Sequence, residues 1–269
     1  MQTHPARYPT DLTDEEWDHI KSLVPAPESG TGKKGRPPKL DRRQLVNAIF
    51  YIVRAGCAWR LLPKDFGPGS TVYGYFRKWS QDWTWRCIHD ARRDCLRKSE
   101  GRQVAPTAAI IDSQSVKTPD PAGERGDDAG KKVSGPKRHL AVDSLGMILA
   151  ITITSAAVQD RAAAKRLIVL MLSMSQRVQI IWADGGYLGK LVQWVKPLRP
   201  FGKLKLEIVR RCDHARGFKV LPKRWLVERT FGWLYKSRRL GRDYEVRLDQ
   251  SEAMIRICMI RLMIKRLAA

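Results

Sequence analysis

The chain has no Cys-x-x-Cys pair, and its five cysteines, Cys57, Cys87, Cys95, Cys212 and Cys258, are odd in number. A disulfide framework and a zinc ribbon are thereby excluded, and reduced thiols of a cytoplasmic protein are expected. The five histidines show no metal-ligand spacing either. There is no apolar run at the N-terminus, so no signal peptide is expected. The most apolar stretch, 253–267, is broken by Arg256, Arg261, Lys265 and Arg266, which suits a packed helix and not a membrane span. A Walker loop, GxSxG, HExxH and a dinucleotide-binding glycine pattern are all missing, which leaves nucleotide hydrolysis, acyl transfer and hydride transfer without support.

Acidic residues are also scarce: 27 stand against 50 Lys plus Arg, a formal charge of +23 over 269 residues. A compact fold with that surplus repels itself. Beside a polyanion the surplus becomes useful, because each phosphate contact releases counterions. The partner expected is therefore nucleic acid, with no membrane. Apolar residues make up 43% of the chain and there are nine Trp, enough for a buried core and against disorder.

Residues 1–100 read as an all-α domain. Thr13 and Glu16 form a capping box, and Trp17, Ile20 and Val24 follow at helical spacing. A basic Pro/Gly linker, 25–41, contains Arg36 and Lys39 and suits an arm lying in a DNA minor groove. A helix over 42–54 ends at Gly56. A second, capped by Ser70, carries Arg77 and Lys78, and a third covers 82–98. Helices separated by a turn, the later ones basic and aromatic, predict a helix-turn-helix-like DNA-binding unit.

Residues 107–269 change character. A strand at 107–111 is followed by a loop over 119–136 and a hairpin of 137–143 and 147–154. A helix capped by Asp160, a strand at 178–182, a short helix, a strand at 204–210, a helix over 224–239 and a last helix over 248–267 complete the order. That is a mixed sheet with flanking helices. Asp112 and Asp184 each end an apolar run, and Glu228 lies within a helical pattern. Singly, an Asp after a strand is usually a turn residue and a helical Glu beside Arg a surface ion pair. Together, in so basic a chain, they predict a site for Mg²⁺, with Mn²⁺ able to substitute, that catalyses phosphodiester chemistry. Gly185 and Gly186 leave room for a DNA backbone. Arg224, one turn before Glu228, and Lys236, two turns after it, are expected on phosphates. Lys131, Lys132, Lys137 and Arg138 form a second cationic cluster expected on DNA. His139, Asp143 and Asp160 are read as structural.

Four stretches carry a resemblance: Ile111 to Thr118, Lys131-Lys132 with 137–143, Ala183 to Tyr187, and Arg224 to Leu234. Together they resemble the insertion-sequence-five family of bacterial DDE transposases, and 35–38 with 59–63 is similar to that family's helical leader. The resemblance implies a ribonuclease-H-like core, two Mg²⁺ ions and a catalytic and metal-binding triad of Asp112, Asp184 and Glu228. It further implies cleavage at transposon ends, transfer of the freed 3′-OH to target DNA, a self-associated paired-end complex on double-stranded DNA, and work at the bacterial nucleoid. Related transposases carry Tyr-x2-Arg-x3-Glu-x6-Lys around the Glu. Here Arg224 and Glu228 match, Leu221 replaces the Tyr, and Tyr235 stands at the Lys position with Lys236 after it. The rival readings are a non-catalytic, repressor-like DNA-binding protein and a nuclease acting on RNA or junctions.

Overall fold

The computed structural model describes residues 7–26, 40–119, 126–199, 204–209 and 223–269. Arg36 and Lys39, with most of the basic linker, and Leu221 lie outside the described residues. In chain order the elements are α1 (Asp14–Ile20), α2 (Arg42–Ala55), α3 (Gly69–Gln81), α4 (Thr84–Ser99), β1 (Ala108–Ser115), β2 (Gly126–Asp128), β3 (Val133–Val142), β4 (Ile148–Ser155), α5 (Asp160–Met174), β5 (Ile180–Ala183), α6 (Lys190–Val195), β6 (Lys205–Ile208), α7 (Trp225–Tyr235) and α8 (Leu248–Leu267).

They fall into two compact units. The first comprises Met1–Ser99, Lys236–Gly241 and Asp249–Ala269. Thr13 and Glu16 close the expected capping box on α1, and Gly56, with φ of 74°, ends α2 in a left-handed cap. Leu45, Ile49 and Ile52 of α2, Val72 and Phe76 of α3 and Ile88 of α4 are fully buried. Ring contacts Trp59–Phe76 and Trp79–Trp85 tie the α3 region together. Ser70 does not cap α3, which begins one residue earlier behind Pro68. The last helix departs from expectation more deeply. The sequence places α8 with 107–269, yet nearly all of it belongs to the first unit. Its polar groups explain why: Gln250 meets Tyr73, and Arg261 donates to the carbonyls of Pro9 and Thr10 and lies over Phe50. Its burial on nearly every side suits a helix at the centre of a core.

The second unit, Glu100–Tyr235 with Arg242–Leu248, holds a mixed sheet. β3 pairs antiparallel with both β1 and β4, β1 pairs parallel with β5, and β5 parallel with β6. Three antiparallel strands continued by two parallel ones give the ribonuclease-H-like order. On one face Ala109 and Ile111 of β1, Ile181 and Ala183 of β5, Leu167, Ile168 and Met171 of α5 and Leu191 of α6 form one core. α7 packs on β1 and β3, burying Val227 and Leu234. The stretch 119–136 expected as a loop contains strand: β2 pairs with the start of β3, and β3 begins at Val133. Gly135, with φ of 154°, permits this, because a Cβ there would stand 2.1 Å from the Val116 carbonyl oxygen.

Candidate active site

Strand alternation decides which side chains meet. The β1–β5 register sets Ala108 opposite Ile180 and Ile110 opposite Trp182. Carried two residues further, the same offset sets Asp112 opposite Asp184, on the sheet face covered by α7. Asp112 is not at the end of its strand, as the sequence suggested. β1 runs on to Ser115 because β3 continues beside it. What ends at Asp112 is the parallel partner, since β5 stops at Ala183. Asp184 then turns the chain, its carboxylate accepting the Gly186 N–H at 2.9 Å.

The Asp112 carboxyl is raised from its usual 3.8 to about 6, first by burial and also by the Asp184 charge, against the opposing Ser113 N–H, Arg224 and Lys131. Two like charges thus converge in a half-buried place. The third acid, Glu228, sits in the first turn of α7. Arg224 joins it to the others: its guanidinium is 3.1 Å from Glu228 and 3.9 Å from Asp184. Among the described residues no group of three His, Cys, Asp or Glu side chains is close enough to hold a metal as it stands. Arg224 therefore links Asp184 to Glu228, and Asp112 lies within range of the charges of Asp184 and Arg224, without the three acids closing into a cage.

α7 is pinned to the β3–β4 turn. The Arg229 guanidinium lies over the rings of Trp225 and Trp233, 4.4 and 4.6 Å from their centroids, and donates to the Leu145 carbonyl at 2.9 Å. The Thr230 hydroxyl donates to the Gly146 carbonyl at 2.8 Å. The turn is itself held by Asp143, which accepts from the Leu145 and Met147 amides. Asp143 is therefore structural, as read. At the head of α7, Lys223 lies over Trp182, 4.1 Å from its centroid.

The opposite face of β1 carries a second polar group. Ser113 donates to Asp160 at 2.8 Å, Ser115 donates to Asp128 at 2.6 Å, and Lys137 reaches Asp160 and Asp128 at 3.2 and 3.4 Å. Asp160 is the first residue of α5 behind its cap, Gln159. His139, fully buried, meets Thr154 at 3.0 Å, and burial pushes its imidazole down to about 4. It is a neutral core residue.

The cations expected on DNA divide. Lys131 and Lys132 are exposed, and Lys131 acts on Asp112. Lys137 and Arg138 are not exposed partners of that pair. Adjacent on a central strand, they point to opposite faces. Lys137 is buried between two aspartates, and Arg138, 1% exposed, pairs with Asp243 at 3.5 Å. Lys236 is exposed but not two turns along the Glu228 helix, because α7 ends at Tyr235; its carbonyl accepts from Arg54. Arg77 and Lys78 are exposed on α3. Arg229 escaped the sequence reading, although its Trp-x3-Arg-x3-Trp setting, one turn to either side, was visible there. No helix among the described residues is long and apolar enough to cross a membrane.

Residues 104–264 match the family described as "Transposase DDE domain", and residues 12–89 match "Putative transposase of IS4/5 family". A Burkholderia cepacia "Insertion element IS402 uncharacterized 16.2 kDa protein" is 30% identical over 109 residues, 39% of this chain and 72% of its own length. From the same organism, a "Putative transposase for insertion sequence element IS402" is 32% identical over 135 residues, 47% of this chain and 62% of its own. A solved structure of the Mos1 strand transfer complex aligns with 87% of this chain and 78% of its own at 12% identity and a TM-score of 0.30, a level that supports no conclusion.

Proposed function

The chain belongs to the DDE transposase family, and on that premise we propose that it cuts DNA at the ends of an insertion sequence and joins the freed 3′-OH to target DNA in a Mg²⁺-dependent reaction. The observation that carries this reading is that the charge of Asp184, just past the end of β5, acts on the buried Asp112 of neighbouring β1, in a chain of net charge +23. Hard carboxylate oxygens are the donors Mg²⁺ prefers. Converging acids, one with its carboxyl raised by burial and by its neighbour, call for a divalent counter-charge. Asp112, Asp184 and Glu228 are the residues that would hold it. A pair of bound divalent ions supplies charge relief at the phosphodiester and lowers the pKa of water.

The chain's own groups orient the substrate. Arg224 is already drawn to Asp184 and Glu228, and its fork of donors suits a phosphate. Lys131 and Lys132 lie exposed on the same unit, and Lys131 is near enough to Asp112 to act on it. Gly185, beside Asp184, has open space where a Cβ would stand, so a backbone can approach. In this reading the helical unit grips the ends through Arg77 and Lys78 of α3 and through the basic linker with Arg36 and Lys39. Lys236 remains a candidate phosphate contact. Two copies pair the two ends, and the work is done at the bacterial nucleoid.

The test is a supercoiled plasmid bearing matched inverted ends. The wild-type chain should cleave and join it with Mg²⁺ or Mn²⁺ and not with chelator. Asp112→Asn and Glu228→Gln should bind the ends and cleave nothing. Binding without cation-dependent cleavage by the wild type would leave a repressor-like protein in its place.

A further inference from the structure

We infer that Arg229 is a positioning residue for the divalent-cation site, setting the rotation of α7 and so the place of the Glu228 carboxylate. The inference rests on the reading of Asp112, Asp184 and Glu228 as cation ligands. Glu228 is exposed over half its side chain, and its contact shown here is with Arg224 on its own helix. Arg224 carries that contact on to Asp184, just past the end of β5, at the longer distance of 3.9 Å. A closer tie, to the strand next to β1, is made one residue later. Trp225 and Trp233 stand one turn before and one turn after Arg229, and its guanidinium lies over both rings. Stacking of this kind prefers the planar Arg over Lys. The guanidinium edge then donates to the Leu145 carbonyl, in the turn that leaves β3. β3 is hydrogen-bonded to β1 with Leu140 opposite Asp112. A chain of direct contacts thus runs from the neighbour of Glu228 to the strand of Asp112.

The Thr230 hydroxyl fixes the adjoining point on the same turn. It sets where the helix rests, whereas the stacked guanidinium sets how far it turns. The turn fits closely: Gly146 has φ of 78°, and a Cβ there would lie 3.0 Å from Thr230 Oγ1 and 3.1 Å from the Trp233 ring. A helical side chain stands about 6 Å from its axis, so a rotation of about 15° moves a carboxylate by about 1.5 Å. Cation ligands tolerate only about 0.2 Å. A small loss of azimuth is therefore enough to cost a ligand while the helix stays docked.

The experiment is Mn²⁺ binding to the full chain without DNA, followed by electron paramagnetic resonance, for wild type, Arg229→Lys, a Trp225→Phe/Trp233→Phe double variant and Asp112→Asn. Arg229→Lys should weaken Mn²⁺ binding by about tenfold. The double variant should move it in the same direction by less. End-DNA affinity measured in chelator should be unchanged, and cleavage by Arg229→Lys should recover at high Mn²⁺. A residue that only stabilises the fold would lower activity equally at all Mn²⁺ concentrations. Mn²⁺ affinity equal to wild type in both Arg229→Lys and the double variant overturns the positioning role alone. Wild type that binds Mn²⁺ no better than Asp112→Asn overturns the cation site itself.

Discussion

The charge of Asp184, one residue past the end of β5, reaches Asp112 on β1 and adds to burial in raising its carboxyl. The arrangement costs stability when both are ionised. A carboxyl raised in the folded state favours folding while it stays protonated, and that advantage is lost as pH rises from the usual 3.8 through about 6. The gap is worth on the order of 3 kcal/mol. Metal-free Asp112→Asn should therefore melt higher than wild type at pH 8 and about equally at pH 4. Thermal unfolding in chelator at the two pH values checks this. A variant that melts lower at pH 8 would contradict it.

The exposed and buried cations should separate in their effects. Lys131→Ala removes a solvent-facing charge, so it should leave stability within about 0.5 kcal/mol. It should also reduce the slope of log K against log salt by about 0.9. Arg138→Met removes the buried cation that faces Asp243, which costs about 3–5 kcal/mol. Its salt slope for end DNA should match wild type in protein that remains folded. Salt titrations beside urea melts test both expectations. A lowered slope in Arg138→Met would restore it as a phosphate contact.

Local signals are legible in the sequence, and the largest departures from it are set by elements distant in the chain. Thr13 with Glu16, Gly56 and the span of α8 were readable because caps and helical period are local signals. Asp112 and Asp184 stand out in the sequence because an acid after a β-branched run is a local signal, and Glu228 because it falls within a helical pattern. Lys137 and Arg138 misled because a run of cations looks like a surface, while a central strand sends neighbours to opposite buried faces. Asp112 looked terminal because the end of its parallel partner is set by another strand, Ile180–Ala183. The home of α8 depended on Tyr73 and Phe50, far away in sequence. Arg224 bridging two of the acids is likewise a tertiary fact.

His89 supplies an acid-side expectation for the helical unit. It is fully buried, and burial pushes its imidazole from 6.5 to about 4 even though Asp90 accepts a hydrogen bond from it. The fold holds the neutral ring, so its contribution is complete above pH 6.5 and is lost as pH falls toward about 4. The loss runs at about 1.4 kcal/mol per pH unit. Urea midpoints from pH 7 to 4 should fall more steeply for wild type than for His89→Gln. Parallel curves would contradict the assignment.

The central claim is that Asp112, Asp184 and Glu228 bind divalent cations together, and crystals grown with Mn²⁺ and measured at the manganese edge test it most directly. The account predicts an anomalous peak between the Asp112 and Asp184 carboxylates, with Arg224 drawn aside and Glu228 turned toward the metal. A saturated crystal with manganese bound elsewhere and those carboxylates uncoordinated would contradict it.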